Sequence, residues 1–198
     1  MKNDYEDEVY QFFTRPDNFE TMVAVAAHTD TVTNRIIREF WDSLKLRLDE
    51  TFRRKGEGWQ VGYSGNFTER YCKLWVYRAA WLTTPNYPLV SVAFEDLHYG
   101  EYPFVGIHLN IDQEVYDPGL LKERIGTPPN LSLENSNNAY WIGRRYFPFN
   151  FTQQKNLVEI LPDCRVAIID NLVTEAVTIA DGLTPVVDEI IEKSKINP

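Results

Sequence analysis

The clearest pattern in the chain is a stripe of apolar residues at helical spacing in its first third. They recur every three or four positions from Val32 to Leu48, which predicts an amphipathic helix that opens at Thr29 or Asp30. Cationic residues close this segment before Gly56, so we expect the helix to end there. The stripe consists of Val32, Ile36, Ile37, Phe40, Trp41, Leu44 and Leu48.

Ahead of the stripe, the pattern predicts two shorter helices that Pro16 separates, because proline interrupts a helix from within. The first runs to Phe13 and the second to about His28. We therefore expect residues 1–29 to form an N-terminal helical extension and residues 30–198 to form a single α+β domain.

The middle of the chain alternates between apolar and polar residues, as antiparallel strands do. In the second strand, Lys73 and Trp75 face one way, whereas Leu74 and Val76 face the other. Both faces carry apolar groups, which favours a central place in the sheet. The predicted strands cover residues 59–63, 71–82, 90–96, 104–111 and 140–146.

The third and fourth of these strands are expected to form a hairpin. Pairing Phe94 with Ile107 places every large apolar residue on one face, and a slip of one residue would destroy that separation. In this register Glu95 and His108 are diagonal neighbours, about 7 Å apart, which suits a charge-assisted pair. The polar face then carries Ser91, Ala93, Glu95, Gly106, His108 and Asn110.

The last third of the chain returns to helical spacing. Thr152 can cap a helix through Ile160, and Asp163 can cap a long helix that Pro185 kinks. Residues 112–138 are expected to form a long connection before this part, and such loops are functional or mobile. The order of the elements predicts an α+β fold, with an antiparallel sheet of about four or five strands packed against N-terminal and C-terminal helices.

Composition and net charge argue against several classes of function. The net charge is −9 and the sequence pI is about 4.9, which argues against direct nucleic-acid binding and against docking to an anionic membrane. The chain begins with a polar, acidic segment and has no long apolar run, so we expect a cytoplasmic protein. Cys72 and Cys164 are expected to be reduced and buried.

A search for catalytic motifs predicts no catalytic residue, no metal ion and no cofactor. The segment after Gly62 departs from a nucleophile elbow at Asn66, and neither a zinc motif nor the acid-x-lysine pattern of a nuclease occurs. One alternative stays open, a divergent metal-dependent hydrolase or nuclease-like enzyme. Its candidate side chains are Glu95, Asp96 and either His98 or His108.

Charge distribution predicts a partner surface. No Lys or Arg occurs between Arg78 and Lys122, whereas acidic residues and tyrosines alternate there. Tyrosine supplies contact area at a low entropy cost, so this stretch is typical of a protein-binding face. The candidate partner-binding residues are Glu95, Asp96, Tyr99, Glu101, Tyr102, Asp112, Glu114, Tyr116 and Asp117.

Three short aromatic-rich features carry a resemblance to a known family. They are Phe40-Trp41 with Leu44, the hairpin from Tyr99-Gly100 to Val105-Gly106-Ile107, and Trp141-Ile142-Gly143. Together they resemble the C-terminal module that follows the nuclease core in some bacterial PD-(D/E)XK-superfamily proteins, over about residues 30–195. The resemblance implies an accessory module from a phage or genome-defence setting. Because the nuclease core is not in this chain, no catalytic residue carries over.

We therefore expect a non-enzymatic protein-interaction or regulatory module with an acidic, aromatic-rich surface. The expected partner is a protein with a basic surface, since opposite charges steer association. A homo-oligomer that closes through the C-terminal helix stays open as a further possibility.

Overall fold

The computed structural model of the protein describes residues 4–67, 69, 71–84, 87–98, 100–110, 118–126, 133–136 and 138–196. An antiparallel sheet packs against N-terminal and C-terminal helices, which confirms the expected α+β class. None of the helices in this described part combines the length and the apolar composition that a membrane crossing needs.

The helices are α1 (Asp4–Phe13), α2 (Pro16–Lys55), α3 (Pro118–Ile125) and α4 (Arg165–Ile196). The strands are β1 (Trp59–Tyr63), β2 (Leu74–Arg78), β3 (Leu82–Thr84), β4 (Tyr87–Pro88), β5 (Val90–Glu95), β6 (Phe104–Leu109), β7 (Glu134–Asn135) and β8 (Trp141–Tyr146). Two 3-10 helices span Ala79–Trp81 and Gln154–Ile160. Across the described residues, the main sheet has the order β1-β2-β5-β6-β8-β7, and β3 pairs with β4 separately.

Helix α2 is one continuous helix, so the prediction of two helices that meet near residue 29 was wrong. The Thr29 hydroxyl donates to the Val25 carbonyl at 2.9 Å, inside the helix, instead of capping a new one. Pro16 occupies the first turn, where a missing N–H costs nothing, and so it opens α2. The predicted end was confirmed, because α2 stops at Lys55 and Gly56 follows with φ of 74°.

The first part of the chain lies outside the hydrophobic core. Within residues 5–32, no side chain is buried, and the buried residues of α2 begin at Thr33. Large apolar side chains such as Tyr10 and Phe19 are exposed there. This exposure is compatible with a helical extension followed by a separate folding unit, and that division stays a prediction.

The β5–β6 hairpin has the predicted faces but a different register. Phe94 pairs with Val105 and Val92 pairs with Ile107, so the predicted pairing of Phe94 with Ile107 was wrong by two residues. A shift of two residues leaves every side chain on its own face, and therefore the apolar pattern cannot distinguish the two registers. The observed register extends pairing to Glu95 and Phe104, at the ends of the two strands.

The C-terminal third holds a 3-10 helix and then one long helix. The predicted helix through Ile160 is the 3-10 helix that starts at Gln154, and α4 begins at Arg165 and continues through Pro185. Both cysteines are free thiols, with Cys72 buried and Cys164 exposed. The expectation that Cys164 is buried was wrong, because it lies in the turn that precedes α4.

Asp188 connects α4 to the end of β2 and to the 3-10 helix that follows it. Its carboxylate accepts a hydrogen bond from the indole Nε1 of Trp81 at 2.8 Å and forms an ion pair with Arg78. Trp81 is fully buried, so this carboxylate satisfies a donor that water cannot reach. The contact joins residues more than 100 positions apart and holds α4 against the sheet.

Candidate functional site

The sheet has two chemically different faces. Leu74, Val76, Val92, Phe94 and Ile107 belong to the large core that the helices cover. On the opposite face, Ala93, Phe104 and Trp141 form a small separate cluster with Trp75, and this cluster contains no helix residue. We call this second face the open face. It carries Lys73, Trp75, Ser91, Ala93, Glu95, Phe104, Gly106, His108, Trp141 and Arg144.

Small residues make a depression in the middle of the open face. Ala93 pairs with Trp75 on one side and with Gly106 on the other, so two of these three positions bring little volume. A Cβ atom at Gly106 would lie 2.3 Å from the Gly143 carbonyl oxygen, which leaves room there for glycine alone. The absence of bulk at these positions lets the longer side chains around them enclose a pocket.

The pocket has a cavity volume of about 210 Å³ and is open to solvent on one side. Its walls combine rings and hydrogen-bonding groups, which is the usual composition of a ligand site. The rings are those of Tyr71, Trp75, Tyr87 and Tyr140. The polar lining comes from Ser64, Lys73, Ser91, His108 and Asn110, and the remainder from Pro88, Ala93 and Leu109.

Lys73 occupies the centre of the polar groups. Its Nζ lies 3.1 Å from Nε2 of His108 and 3.8 Å from Oε2 of Glu95. The first contact is a hydrogen bond, whereas the second is an ion pair that is too long for a direct hydrogen bond. Lys73 thus connects two side chains that lie on different rungs of the β5–β6 hairpin, since Ser91 pairs with His108 and Phe104 pairs with Glu95.

Burial controls the protonation of both partners of Lys73. Burial and, second, the Lys73 ammonium lower the pKa of His108 from 6.5 to about 3, so its imidazole is neutral near pH 7. Burial raises the pKa of Glu95 from 4.5 to about 7, although Lys73 and Arg144 both oppose that rise. The charge beside Lys73 therefore changes near neutral pH through Glu95, which lies next to the pocket but does not line it.

Rings also surround His108 and Arg144. The His108 imidazole packs edge-on against Trp141, with a centroid distance of 5.0 Å, and lies parallel to Tyr140 at 6.5 Å. The Arg144 guanidinium lies over the Phe104 ring, 5.2 Å from its centroid, as in a cation–π contact. These contacts restrict the side chains of His108 and Arg144.

The structure places four of the nine predicted partner-binding residues. Glu95 is buried and faces Lys73, and Asp96 is partly buried with φ of 59°. Glu101 lies 3.5 Å from His98 through their side chains, and Tyr102 is exposed. The other five, Tyr99, Asp112, Glu114, Tyr116 and Asp117, lie outside the described residues.

In the folded protein, basic side chains from outside the stretch between Arg78 and Lys122 approach an acidic residue within it. Lys73, the residue before β2, reaches Glu95 from one side, and Arg144 acts on the same carboxylate from β8. Lys73 precedes the gap in the chain and Arg144 follows it, and the pairing of the strands brings both cations near Glu95. Glu95 is therefore part of a charge cluster and is not a solvated surface carboxylate.

The predicted diagonal contact between Glu95 and His108 was wrong, because the register separates them by four residues along the hairpin. Among the described residues, no three His, Cys, Asp or Glu side chains are grouped closely enough to hold a metal ion. The residues that sequence reasoning did not select are Trp75, Tyr140 and Arg144, together with Lys73. Of these four, only Lys73 and Trp75 could have been found from the sequence, because the alternation in the second predicted strand places them on the same face.

No protein-family model, curated protein or solved structure matches this chain. The resemblance to the accessory module of PD-(D/E)XK-superfamily proteins therefore stays a prediction.

Proposed function

We propose that this protein is a non-enzymatic protein-interaction or regulatory module and that its partner contacts the open face of the sheet. The observation that carries the proposal is the pocket between Lys73, Trp75 and His108, whose rim consists of exposed tyrosine rings. Tyrosine is enriched at protein interfaces, because one ring offers both a large apolar surface and a hydroxyl.

The exposure of the rim supports a contact with a large partner. Tyr71, Tyr87 and Tyr140 are 60%, 59% and 43% exposed, so their rings still have surface to lose on binding. Around them, Lys73 and His108 are held by contacts within the sheet, which gives the surface a preformed centre. A preformed surface loses less side-chain entropy on association than a mobile one.

The proposed partner presents a basic surface. The chain has 29 acidic and 20 basic residues, and this excess of negative charge over the whole chain, and not the charges of the open face itself, favours association with a cationic protein. Such a complex weakens between low and high ionic strength, because salt screens the attraction between exposed charges.

The proposal is tested by site-specific photo-cross-linking in cells of the source organism. A photoreactive phenylalanine analogue replaces Tyr87 or Tyr140 on the open face, or Val166 on α4 as a control position with 64% exposure. We expect one protein to be cross-linked from both tyrosine positions and not from Val166.

The cross-linked protein is then purified, and its affinity for the unmodified chain is measured at low and high salt. The Tyr87→Ala/Tyr140→Ala variant is expected to bind at least about tenfold more weakly, a loss of about 1.4 kcal/mol. Equal cross-linking from Val166, or unchanged affinity of the double variant, would refute the open face as the partner surface.

A further inference from the structure

The pocket of the open face combines a cation with flat apolar walls. Lys73 contributes its ammonium to the lining, and Trp75 and Tyr140 contribute rings. An ammonium has three N–H donors, and within the described residues His108 accepts one and Glu95 attracts a second. The lining position of Lys73 leaves it able to direct a donor into the cavity.

We propose that this pocket binds an aromatic carboxylate, whose carboxylate contacts the ammonium of Lys73 and whose ring lies against Trp75 and Tyr140. This inference rests on the proposed function, because it takes the open face as the binding surface and names the chemical group that the pocket receives.

Cavity size favours one ring with a short acidic substituent. An apolar cavity of about 150 Å³ accommodates benzene. At about 210 Å³, the pocket has space for a benzene-sized ring and a carboxylate, and it is too small for most drug-sized ligands. A larger ligand would have to leave part of its body outside, against the exposed rim.

The polar groups select an anion in a defined position. Lys73 is charged, and Ser91, which is 3% exposed, and His108 line the same cavity. The neutral imidazole of His108 accepts a hydrogen bond from Lys73 and so orients the ammonium without adding a charge. A carboxylate is flat and accepts hydrogen bonds from several donors, which suits this arrangement.

Glu95 links the binding of an anion to the uptake of a proton. When Glu95 is ionised, it already neutralises Lys73, whereas the protonated form leaves the ammonium available to the ligand. The charged groups that act on Glu95 are Lys73 and Arg144, which favour its ionised form, and Asp96, which opposes it. Affinity for a carboxylate is therefore expected to be higher at pH 6 than at pH 8.

The test uses the full chain and four small probes, measured by calorimetry and by the indole N–H resonance of Trp75. Benzoate has the ring and the charge, benzamide has the ring alone, acetate has the charge alone, and cyclohexanecarboxylate has the charge without an aromatic ring. We expect benzoate to bind with a Kd of about 1 mM or lower and the other three to bind at least about tenfold more weakly.

Two variants test the role of Lys73. Lys73→Met keeps most of the length of the side chain and removes the charge, and Lys155→Met removes an exposed lysine of the 3-10 helix Gln154–Ile160 as the matched control. Benzoate affinity should fall at least about tenfold in the first and stay unchanged in the second. Because the probe series needs no substitution, it tests the proposal even where Lys73→Met fails to fold.

A third variant, Glu95→Gln, tests the link to protonation. It should bind benzoate with the same affinity at pH 6 and pH 8, whereas the unmodified chain should lose affinity between these values.

The carboxylate can belong to a free acid or to the C-terminus of a peptide that ends in phenylalanine. A short peptide of that kind, compared with its C-terminal amide, distinguishes the two sources. Binding of benzoate or of the free-acid peptide supports the proposal. The proposal is overturned if neither benzoate nor the peptide binds, if benzamide binds as tightly as benzoate, or if Lys73→Met binds benzoate as tightly as the unmodified chain does.

Failure here is distinguishable from failure of the proposed function. If cross-linking identifies a partner on the open face but no aromatic carboxylate binds, only the chemistry assigned to the pocket is wrong. If an aromatic carboxylate binds but no partner is cross-linked from Tyr87 or Tyr140, the pocket stands and the protein-interaction role falls.

Discussion

Nζ of Lys73 lies 3.1 Å from Nε2 of His108, although 35 residues separate them in the chain. An ammonium has hydrogens to donate and no lone pair, so the imidazole nitrogen must be the acceptor. The contact therefore exists only while His108 is neutral, with its proton on Nδ1. It follows that the stability of this region depends on pH.

Replacing His108 should expose that dependence. The pKa of His108 is about 3 in the folded protein and 6.5 ordinarily, so between these values the unfolded chain binds the extra proton. The histidine therefore contributes stability that is lost as the pH falls from 6.5 towards 3. In His108→Gln this loss is absent. The difference in the free energy of unfolding between the variant and the unmodified protein should therefore change by about 2 kcal/mol between pH 7 and pH 5.

The measurement is urea unfolding at a series of pH values. His28→Gln is the control, because His28 is exposed on the first part of α2. If the free energies of unfolding of His108→Gln and the unmodified protein differ by the same amount from pH 7 to pH 5, the lowered pKa of His108 is wrong.

Glu95→Gln should have the opposite pH dependence. The pKa of Glu95 rises from 4.5 to about 7 on folding, so the folded protein holds the proton more tightly. This contribution to stability is fully present below pH 4.5 and is lost as the pH rises to about 7. Because Gln cannot ionise, the variant should match the unmodified protein near pH 4.5 and exceed its stability by up to about 3 kcal/mol at pH 8.

Denaturant unfolding at pH 4.5, 6 and 8 checks this expectation, and Glu101→Gln, outside the pocket, serves as the control. Between pH 4.5 and 6.5 the effects of Glu95 and His108 on stability oppose each other. The stability of the unmodified protein should therefore vary less over this range than that of either variant. A stability gain of Glu95→Gln that is the same at all three pH values would contradict the raised pKa.

Asp188 should be important for stability through its buried partner. Asp188→Ala leaves the indole N–H of the fully buried Trp81 without an acceptor and removes the ion pair with Arg78. We expect a loss of about 2–4 kcal/mol in the free energy of unfolding, most of it from the unsatisfied donor. Asp188→Asn keeps an acceptor and should lose about half as much or less.

Equilibrium unfolding in urea measures both variants at the same pH. If the Asn variant is as unstable as the Ala variant, the charge of Asp188 matters and its hydrogen bond to Trp81 does not.

Gly62 should be needed for the position of Trp75. A Cβ atom at residue 62 would lie 2.2 Å from Nε1 of Trp75, well inside van der Waals contact. Gly62→Ala must therefore displace the indole, at a cost of about 1–3 kcal/mol, and shift its N–H resonance. In a Trp75→Phe background the second ring is absent, so the cost should shrink; an equal cost in both backgrounds would exclude this clash as the cause.

Removal of residues 1–29 should leave a folded domain. No side chain in residues 5–32 is buried, and the large core draws on α2 only from Ile36 onwards. We expect the shortened chain to keep its near-ultraviolet circular dichroism and to lose less than about 1 kcal/mol of stability, as for surface changes. Loss of the near-ultraviolet signal would show that the exposed helices belong to the same folding unit.

Much of the fold could be predicted from local pattern. The limits of β1, the end of β8, the end of α2 and the apolar faces of β5 and β6 follow from side-chain periods and from Gly56, which are properties of neighbouring residues. The continuity of α2 past Thr29 was missed, because a hydroxyl that can cap a helix can equally bond the preceding turn.

Sequence alone determined the α+β class, the two faces of the hairpin and the excess of acidic residues, because each depends on composition or on a repeat of two or about four residues. The register within those faces, the meeting of Lys73 with Glu95 and His108, and the approach of Arg144 were decided only by the tertiary structure. A repeat of two is unchanged by a shift of two, and contacts between distant strands arise only when the sheet pairs.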